Sequence, residues 1–428
     1  MVESLQAIPA TLNILAWQPA SPNEIRQYLE QILERSEKNQ KEKDTGSQPQ
    51  RRRGPKDRPL ILAVRTHLVQ LDIFCYLKAR FGEPNGFQNF LRKDDSDNLI
   101  HWEYHLICDG VHIQIMGVNR ETHFLVREFF TDEHWRDLIL RIKDDYRRVG
   151  PEKSRALRQL EKWVVFPNKY VHISSVCAEL YDEITSNISG FEEFKPKSAE
   201  FNSKRQKQLR VADKLSRRAH KLYGSCVQLS LLTPILAESF LNMLILILCK
   251  PEIRNNRAEL DKFIRAHIHT RIFSLSDKCL GFSRPVNEET PGFGRFKRIM
   301  DRRNHVIHGN VDPVREQLET VYFQGTRPIF TQTGDHLGQF YSAMERQHEP
   351  ARVLSDYEDT HSFLVEIVGC LEPRLRTGIW AVIEDRYPGY DANRQRAGSL
   401  FPDYVATSYF PGIKYDDELA VDWPSRFR

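Results

Sequence analysis

The sequence predicts a mainly α protein in which a helical bundle follows a smaller α+β unit carrying an antiparallel β-meander. Three observations lead there. Apolar residues recur at helical spacing over most of the chain beyond residue 150. One alternating stretch, "WEYHLICDGVHIQIMGVNRETHFLVREFF", breaks at Asp109-Gly110 and Asn119-Arg120 into three short runs, the pattern of a meander. The 428 residues, 40% of them hydrophobic, suffice for more than one core.

Residues 1–37 read as an N-terminal helical segment, with Ile25, Tyr28, Leu29 and Ile32 on one face. The polar run "KNQKEKDTGSQPQRRRGPKDR" (38–58) has nothing to bury and reads as a linker. Residues 59–165 form the α+β unit: a helix over 60–82 closed by Gly82, the meander, and a helix over 132–149. His101, His105 and His112 sit on or beside the strands and are read as hairpin residues rather than metal ligands. Residues 166–390 are the bundle, with helices expected over 169–188, 198–223, 234–249, 256–272, 293–308 and 354–386, interrupted by a strand-like stretch at 320–332. The tail, 391–428, reads as irregular.

Composition narrows the setting. A net charge of only +4 gives a weak overall field, so a polyanionic partner has to be argued from local clusters. The seven cysteines show no C-x-x-C spacing, which suits a reducing cytoplasm and argues against a disulfide scaffold or cysteine metal site. The opening residues lack a basic region leading into an apolar core and do not read as a secretion signal. In the longest apolar stretch, 231–249, Pro234, Glu238 and Asn242 leave too short a run for the ~20 residues of a membrane span. A cytoplasmic protein without a membrane partner is expected.

Three segments carry chemistry. The first is the apolar helix 234–249, with Thr233-Pro234 as its start signal and Lys250-Pro251 as its stop. Glu238 and Asn242 lie one turn apart on one face, and a carboxylate in such a helix needs a cation. It either pairs structurally with a neighbouring helix or orients an arginine at a functional site. The second is "SKRQKQLRVADKLSRRAHKLYG" (203–224), in which Lys207, Arg210, Lys214, Arg217 and Lys221 form one stripe and Gly224 reads as a C-cap. Ten basic residues stand against two acidic ones from Lys195 to Lys221. Such a stripe is either a solvated face or a surface that tracks phosphates, hence RNA-binding.

The third is "DRRNHVIHGN" (301–310). Asn304 and His308 fall one turn apart, Arg303 flanks them, and Gly309-Asn310 opens the backbone beside His308. Arginine offers a planar fork for a phosphodiester, and histidine can give or take a proton near neutrality. His305 points elsewhere and reads as structural or supporting.

Arg303, the polar Asn304 and His308 after four intervening residues resemble the R-x4–6-H signature of the HEPN superfamily (higher eukaryotes and prokaryotes nucleotide-binding). "AESFLNMLI", with Glu238 and Asn242, also looks like the early core helix of its bundles. The resemblance spans at most ~166–390. It implies a HEPN-like helical bundle and a metal-independent endoribonuclease that uses no cofactor, of the kind found in antiviral defence and toxin systems. Arg303, Asn304 and His308 would be catalytic, with Glu238, Asn242 and His305 supporting them. It further implies RNA as substrate, a homodimer that joins two motif helices in one composite site, and an antitoxin or defence-system partner protein. A non-catalytic HEPN-like scaffold that binds RNA or a nucleotide, and a purely structural polar cluster, are the competing readings.

Overall fold

The computed structural model describes residues 8–44, 60–65, 67–86, 99–192, 205–307, 313–314, 319–331, 344–402, 405 and 413–424. These form a mostly helical protein with a largely antiparallel sheet, divided into two units: up to Lys162 together with the stretch from Leu400, and Trp163–Ser399.

The first unit is built on a six-stranded sheet in which β1 (Gln18–Pro19) is followed in spatial order by β3 (Ile100–Cys108), β4 (Val111–Val118), β5 (Glu121–Val126), β2 (Leu60–Val64) and β11 (Lys414–Tyr415). Strands β3 (Ile100–Cys108), β4 (Val111–Val118) and β5 (Glu121–Val126) form the expected meander. Asp109 and Gly110 both take positive φ, 48° and 77°, as a two-residue turn matched to the strand twist requires. In the β3–β4 pair, Gly117 stands opposite Trp102, and any β-carbon there would collide with the indole. Ile113, Ile115, Leu106, Tyr104 and Phe124 are fully buried against Tyr76 of α2 (Gln70–Phe81) and Leu138 and Ile142 of α3 (Asp132–Asp145). Each such side chain contributes about 1.5–3 kcal/mol.

The helix predicted over 60–82 is two elements. Leu60–Val64 is strand β2, paired antiparallel with β5, and α2 begins only at Gln70. A run of five apolar residues has no helical periodicity of its own, so the open edge of β5 decides it. Gly82 does end α2, with φ 82°. Helix α1 (Pro22–Asp44) continues into the stretch read as a linker. Ser21 and Glu24 start it by bonding each other reciprocally, with Pro22 at the first helical position.

The tail, read as irregular, closes this sheet. Strand β11 (Lys414–Tyr415) pairs parallel with β2, and buried Asp416 accepts the His67 backbone N–H at 2.9 Å and meets its ring Nδ1 at 2.5 Å. Trp423 stacks on that ring at 3.8 Å.

The second unit is the helical one. Numbered after α4 (Gly150–Gln159) of the first unit, its long members are α5 (Lys169–Glu192), α6 (Arg205–Leu248), α11 (Pro291–Ile307), α12 (Pro350–Gly369) and α13 (Pro373–Ile383). Short helices α7 (Pro251–Asn255), α8 (Arg257–Arg265), α9 (Ile268–Phe273) and α10 (Leu275–Lys278) join α6 to α11. Phe240, Leu241, Leu244, Phe296, Phe363 and Ile367 centre the core. Among the described residues, hairpin β7 (Val321–Gln324) and β8 (Arg327–Phe330) lies where a strand-like interruption is predicted, its side chains almost all exposed. Strands β6 (Val164–Val165), β9 (Gly389–Asp391) and β10 (Arg396–Gly398) form a small second sheet.

Three sequence expectations change here. The helix over 354–386 breaks at Glu372-Pro373 into α12 and α13, since the residue before proline avoids the helical region. The helix over 256–272 breaks at the extended Ala266-His267. Conversely, the two helices expected over 198–223 and 234–249 join, within the described residues, in one 44-residue helix, α6, that runs from Arg205 to Leu248 through Gly224 and Pro234. An interior proline costs about 3 kcal/mol. Burial of Leu229, Leu236, Ala237 and Phe240 on both sides outweighs it, while Thr233 Oγ1 donates to the Leu229 carbonyl at 2.8 Å. Fusion makes Ser216–Leu248 long and apolar enough to cross a membrane by length and composition, a test that core helices of soluble bundles also pass.

Candidate functional site

Glu238 and Asn242 lie on the side of α6 that faces away from the core. Leu236, Ala237, Phe240 and Leu241 are buried around them, whereas the Glu238 side chain keeps 33% of its exposure and Asn242 is exposed. The helical period alone produces this split.

The cation that Glu238 needs comes from an element without a motif. In α9, Ile268, Arg271 and Ile272 are buried together, and Arg271 retains only 5% exposure. Its Nη1 donates to Asn242 Oδ1 at 3.0 Å, and Nη2 stands 3.6 Å from Glu238 Oε2. Burial lowers the Arg271 pKa from its ordinary value and Glu238 acts the other way; arginine stays protonated regardless. The buried Nε finds no acceptor among the described residues.

Helix α11 supplies the second cation. Arg303 Nη1 lies 3.7 Å from the other carboxylate oxygen, Glu238 Oε1, and donates to Asn304 Oδ1 at 3.3 Å. The Arg303 side chain is 23% exposed, and its Nε also has no acceptor among the described residues. Two pairs from α11 to α12 hold the motif helix in place: Arg302 bonds Asp356, and Arg295 Nε lies 2.8 Å from Asp359. Between them Phe296 stacks on Phe363 at 4.8 Å.

The structure therefore brings Arg303, Asn304, Glu238 and Asn242 onto one partly open face, with Arg271 beneath. His308 lies outside the described residues, as does the side chain of His305. Arg271 escapes a reading from sequence because nothing around "RAHIHTRIFS" matches a motif. The available signal was indirect: a carboxylate on an apolar helix demands a buried cation, and Arg271 stands among the apolar residues of 268–273.

The basic stripe is also placed. Arg210, Lys214, Arg217 and Lys221 are exposed on the N-terminal half of α6; the Lys207 side chain is outside the described residues. Arg217 pairs with Asp213 at 3.0 Å and Lys221 with Glu183 at 2.5 Å. At 1.5 Å per residue, Lys221 is about 25 Å along the helix from Glu238 and Arg210 about 42 Å. The stripe is thus a separate surface from the arginine cluster. A groove of 650 Å³ between α5, α12 and α13, lined by Tyr170, Ser174, His361, Trp380 and Glu384, contains none of the residues singled out from sequence.

Comparison with protein-family models, with curated proteins and with solved structures finds no match. The resemblance to the HEPN superfamily rests on the motif in 301–310 and on its setting.

Proposed function

We propose that this chain is a metal-independent endoribonuclease effector, of the antiviral-defence or toxin type, that cuts RNA at a composite site made by two copies. The observation that carries this reading is the Arg303 guanidinium, held on its inner side by Glu238 and beside Asn304, yet partly open to solvent. An arginine so placed can present a fork to a phosphodiester.

In this reading the ribose 2′-oxygen attacks the adjacent phosphorus and the bond to the 5′-oxygen breaks. His308 of one copy takes the 2′-proton, and His308 of the other protonates the departing 5′-oxygen. Arg303 stabilises the charge of the pentacoordinate state, and Asn304 positions the phosphate. The products carry a 2′,3′-cyclic phosphate and a 5′-hydroxyl. DNA lacks the nucleophile and stays intact. Glu238 and Asn242 support the arginine, the stripe on α6 holds a more distant part of the strand, and an antitoxin or defence-system protein restrains the activity in the cytoplasm.

The test is incubation of the purified full chain with labelled RNA and the same sequence as DNA, with and without EDTA. Cleavage of RNA alone, ending in a cyclic phosphate, undiminished by EDTA and lost in His308→Ala, is the expected result. A wild-type protein that retains RNA uncut, and releases it on Arg303→Ala, would make the site a binding scaffold. If both substitutions change only the melting temperature, the cluster is structural.

A further inference from the structure

We infer that Arg271 is a positioning residue that cancels the charge of Glu238 and thereby leaves the Arg303 charge available for a phosphodiester. This rests on the nuclease reading of the site and adds a residue to it that the motif does not contain.

Glu238 stands between two guanidiniums, Oε2 3.6 Å from Arg271 and Oε1 3.7 Å from Arg303. Alone with Arg303 it would form a neutral pair, and a carboxylate beside the anion-gripping arginine would repel the phosphate it is meant to meet. Arg271 brings the trio to a net charge of one positive. The three groups are not equivalent, because burial separates them. Arg271 retains 5% exposure and is bonded to Asn242, so it cannot swing out to solvent or to an RNA strand. Arg303 is 23% exposed and can. The buried cation is therefore committed to Glu238, and the reachable one faces the ligand. Glu238 retains its own use, since it lies against Arg303 Nη1 and fixes one side of a fork that stays partly exposed.

The experiment measures binding of a fluorescein-labelled single-stranded RNA by anisotropy over a series of salt concentrations, in a His308→Ala background of the full chain so that nothing is cut. Arg271→Met should weaken binding at least tenfold, although the residue is buried, and should lower the log–log salt slope by ~0.7, the loss of one phosphate contact to a single strand. The double variant Glu238→Gln/Arg271→Met should return both affinity and slope to within about threefold and ~0.2 of the starting values. Glu238→Gln alone removes the repulsion and should bind at least as tightly as the parent. That single variant keeps the inference testable if Arg271→Met does not fold.

A double variant as weak as Arg271→Met, or weaker binding by Glu238→Gln, overturns the charge-cancelling role. These failures are distinct from failure of the nuclease reading. If Arg303→Ala leaves RNA binding untouched, the site itself is misassigned; if it abolishes binding while the double variant is not rescued, only the role of Arg271 falls.

Discussion

Two polar clusters, one from each unit, are built differently. In the sheet unit, Tyr28 donates to Gln114 at 3.0 Å, Gln114 donates to Glu103, and His105 Nε2 lies 3.0 Å from that same carboxylate. His105 Nδ1 then meets His112 Nε2 at 2.8 Å, and Tyr28 stacks flat on His112 at 3.7 Å. The two imidazole rings share one hydrogen bond, while His105 Nε2, though close to the carboxylate, makes no hydrogen bond among the described residues. In the helical unit, Arg271 and Arg303 converge on Glu238 at longer distances, with Nε atoms uncommitted and part of the face open. A polar cluster whose charged side chains are sealed from solvent specifies packing. One that keeps a guanidinium and a carboxylate partly exposed can meet something else, and that difference singles out the arginine face.

The largest effect expected is at the open cluster. Arg303→Ala should lower RNA cleavage by 10²–10³, about 2.7–4 kcal/mol of lost transition-state stabilisation, while costing below about 1 kcal/mol of stability because the pair with Glu238 is partly exposed. Cleavage rates and denaturant midpoints on the same preparations check both halves. The closed cluster should behave oppositely. His105→Phe leaves the ring of His112 without its hydrogen-bond partner and places a slightly larger ring in a buried site, costing ~3 kcal/mol. Urea unfolding should show that loss with cleavage per folded molecule unchanged. A His105→Phe protein that folds normally but no longer cuts RNA would reverse the comparison.

The legibility of the two clusters from sequence follows the same line. The meander was readable because alternation and two turn dipeptides are local signals, and Gly82 was readable as a helix stop for the same reason. Where tertiary packing overrides a local signal, the reading fails: Gly224 ends no helix and Thr233-Pro234 starts none, because buried residues flank both, and Leu60–Val64 becomes a strand because β5 offers an open edge. At the candidate site, Glu238, Asn242, Arg303 and Asn304 were found through period and motif. Arg271 was not, because its role depends on a contact across 33 positions of sequence that no spacing rule encodes. The tail likewise gave no sign that Asp416 would reach His67.

A smaller effect separates the clusters by pH. Burial, and after it His105 and Arg127, push the His112 pKa down to about 3, with Glu24 acting the other way. Below the ordinary histidine value near 6.5 the unfolded chain takes up a proton that the folded unit refuses. Stability is therefore fully present above about 6.5 and lost as pH falls toward 3, by about 1.4 kcal/mol per unit. Urea midpoints measured from pH 7 to pH 5 should fall accordingly, and His112→Gln, uncharged throughout, should flatten that slope. An unaltered slope in His112→Gln would place the titrating group elsewhere.

The smallest effects belong to the stripe on α6, which tests whether a solvated helix face also serves the open cluster. Arg217 and Lys221 already have carboxylate partners in Asp213 and Glu183, so their charges are partly spent within the protein. Arg210 is exposed and lies further from the cluster than Lys214, Arg217 or Lys221. If one strand extends from Arg303 along the helix, Arg210→Ala should reduce the salt slope of RNA binding by ~0.7 for a long RNA. A short oligonucleotide that spans less than about 25 Å, the distance from Glu238 to Lys221 along the helix, should be bound equally well by both proteins. Stability should move by no more than about 0.5 kcal/mol, as for other surface substitutions. Equal binding of the long RNA would leave the stripe as a solvated face and confine recognition to the arginine cluster.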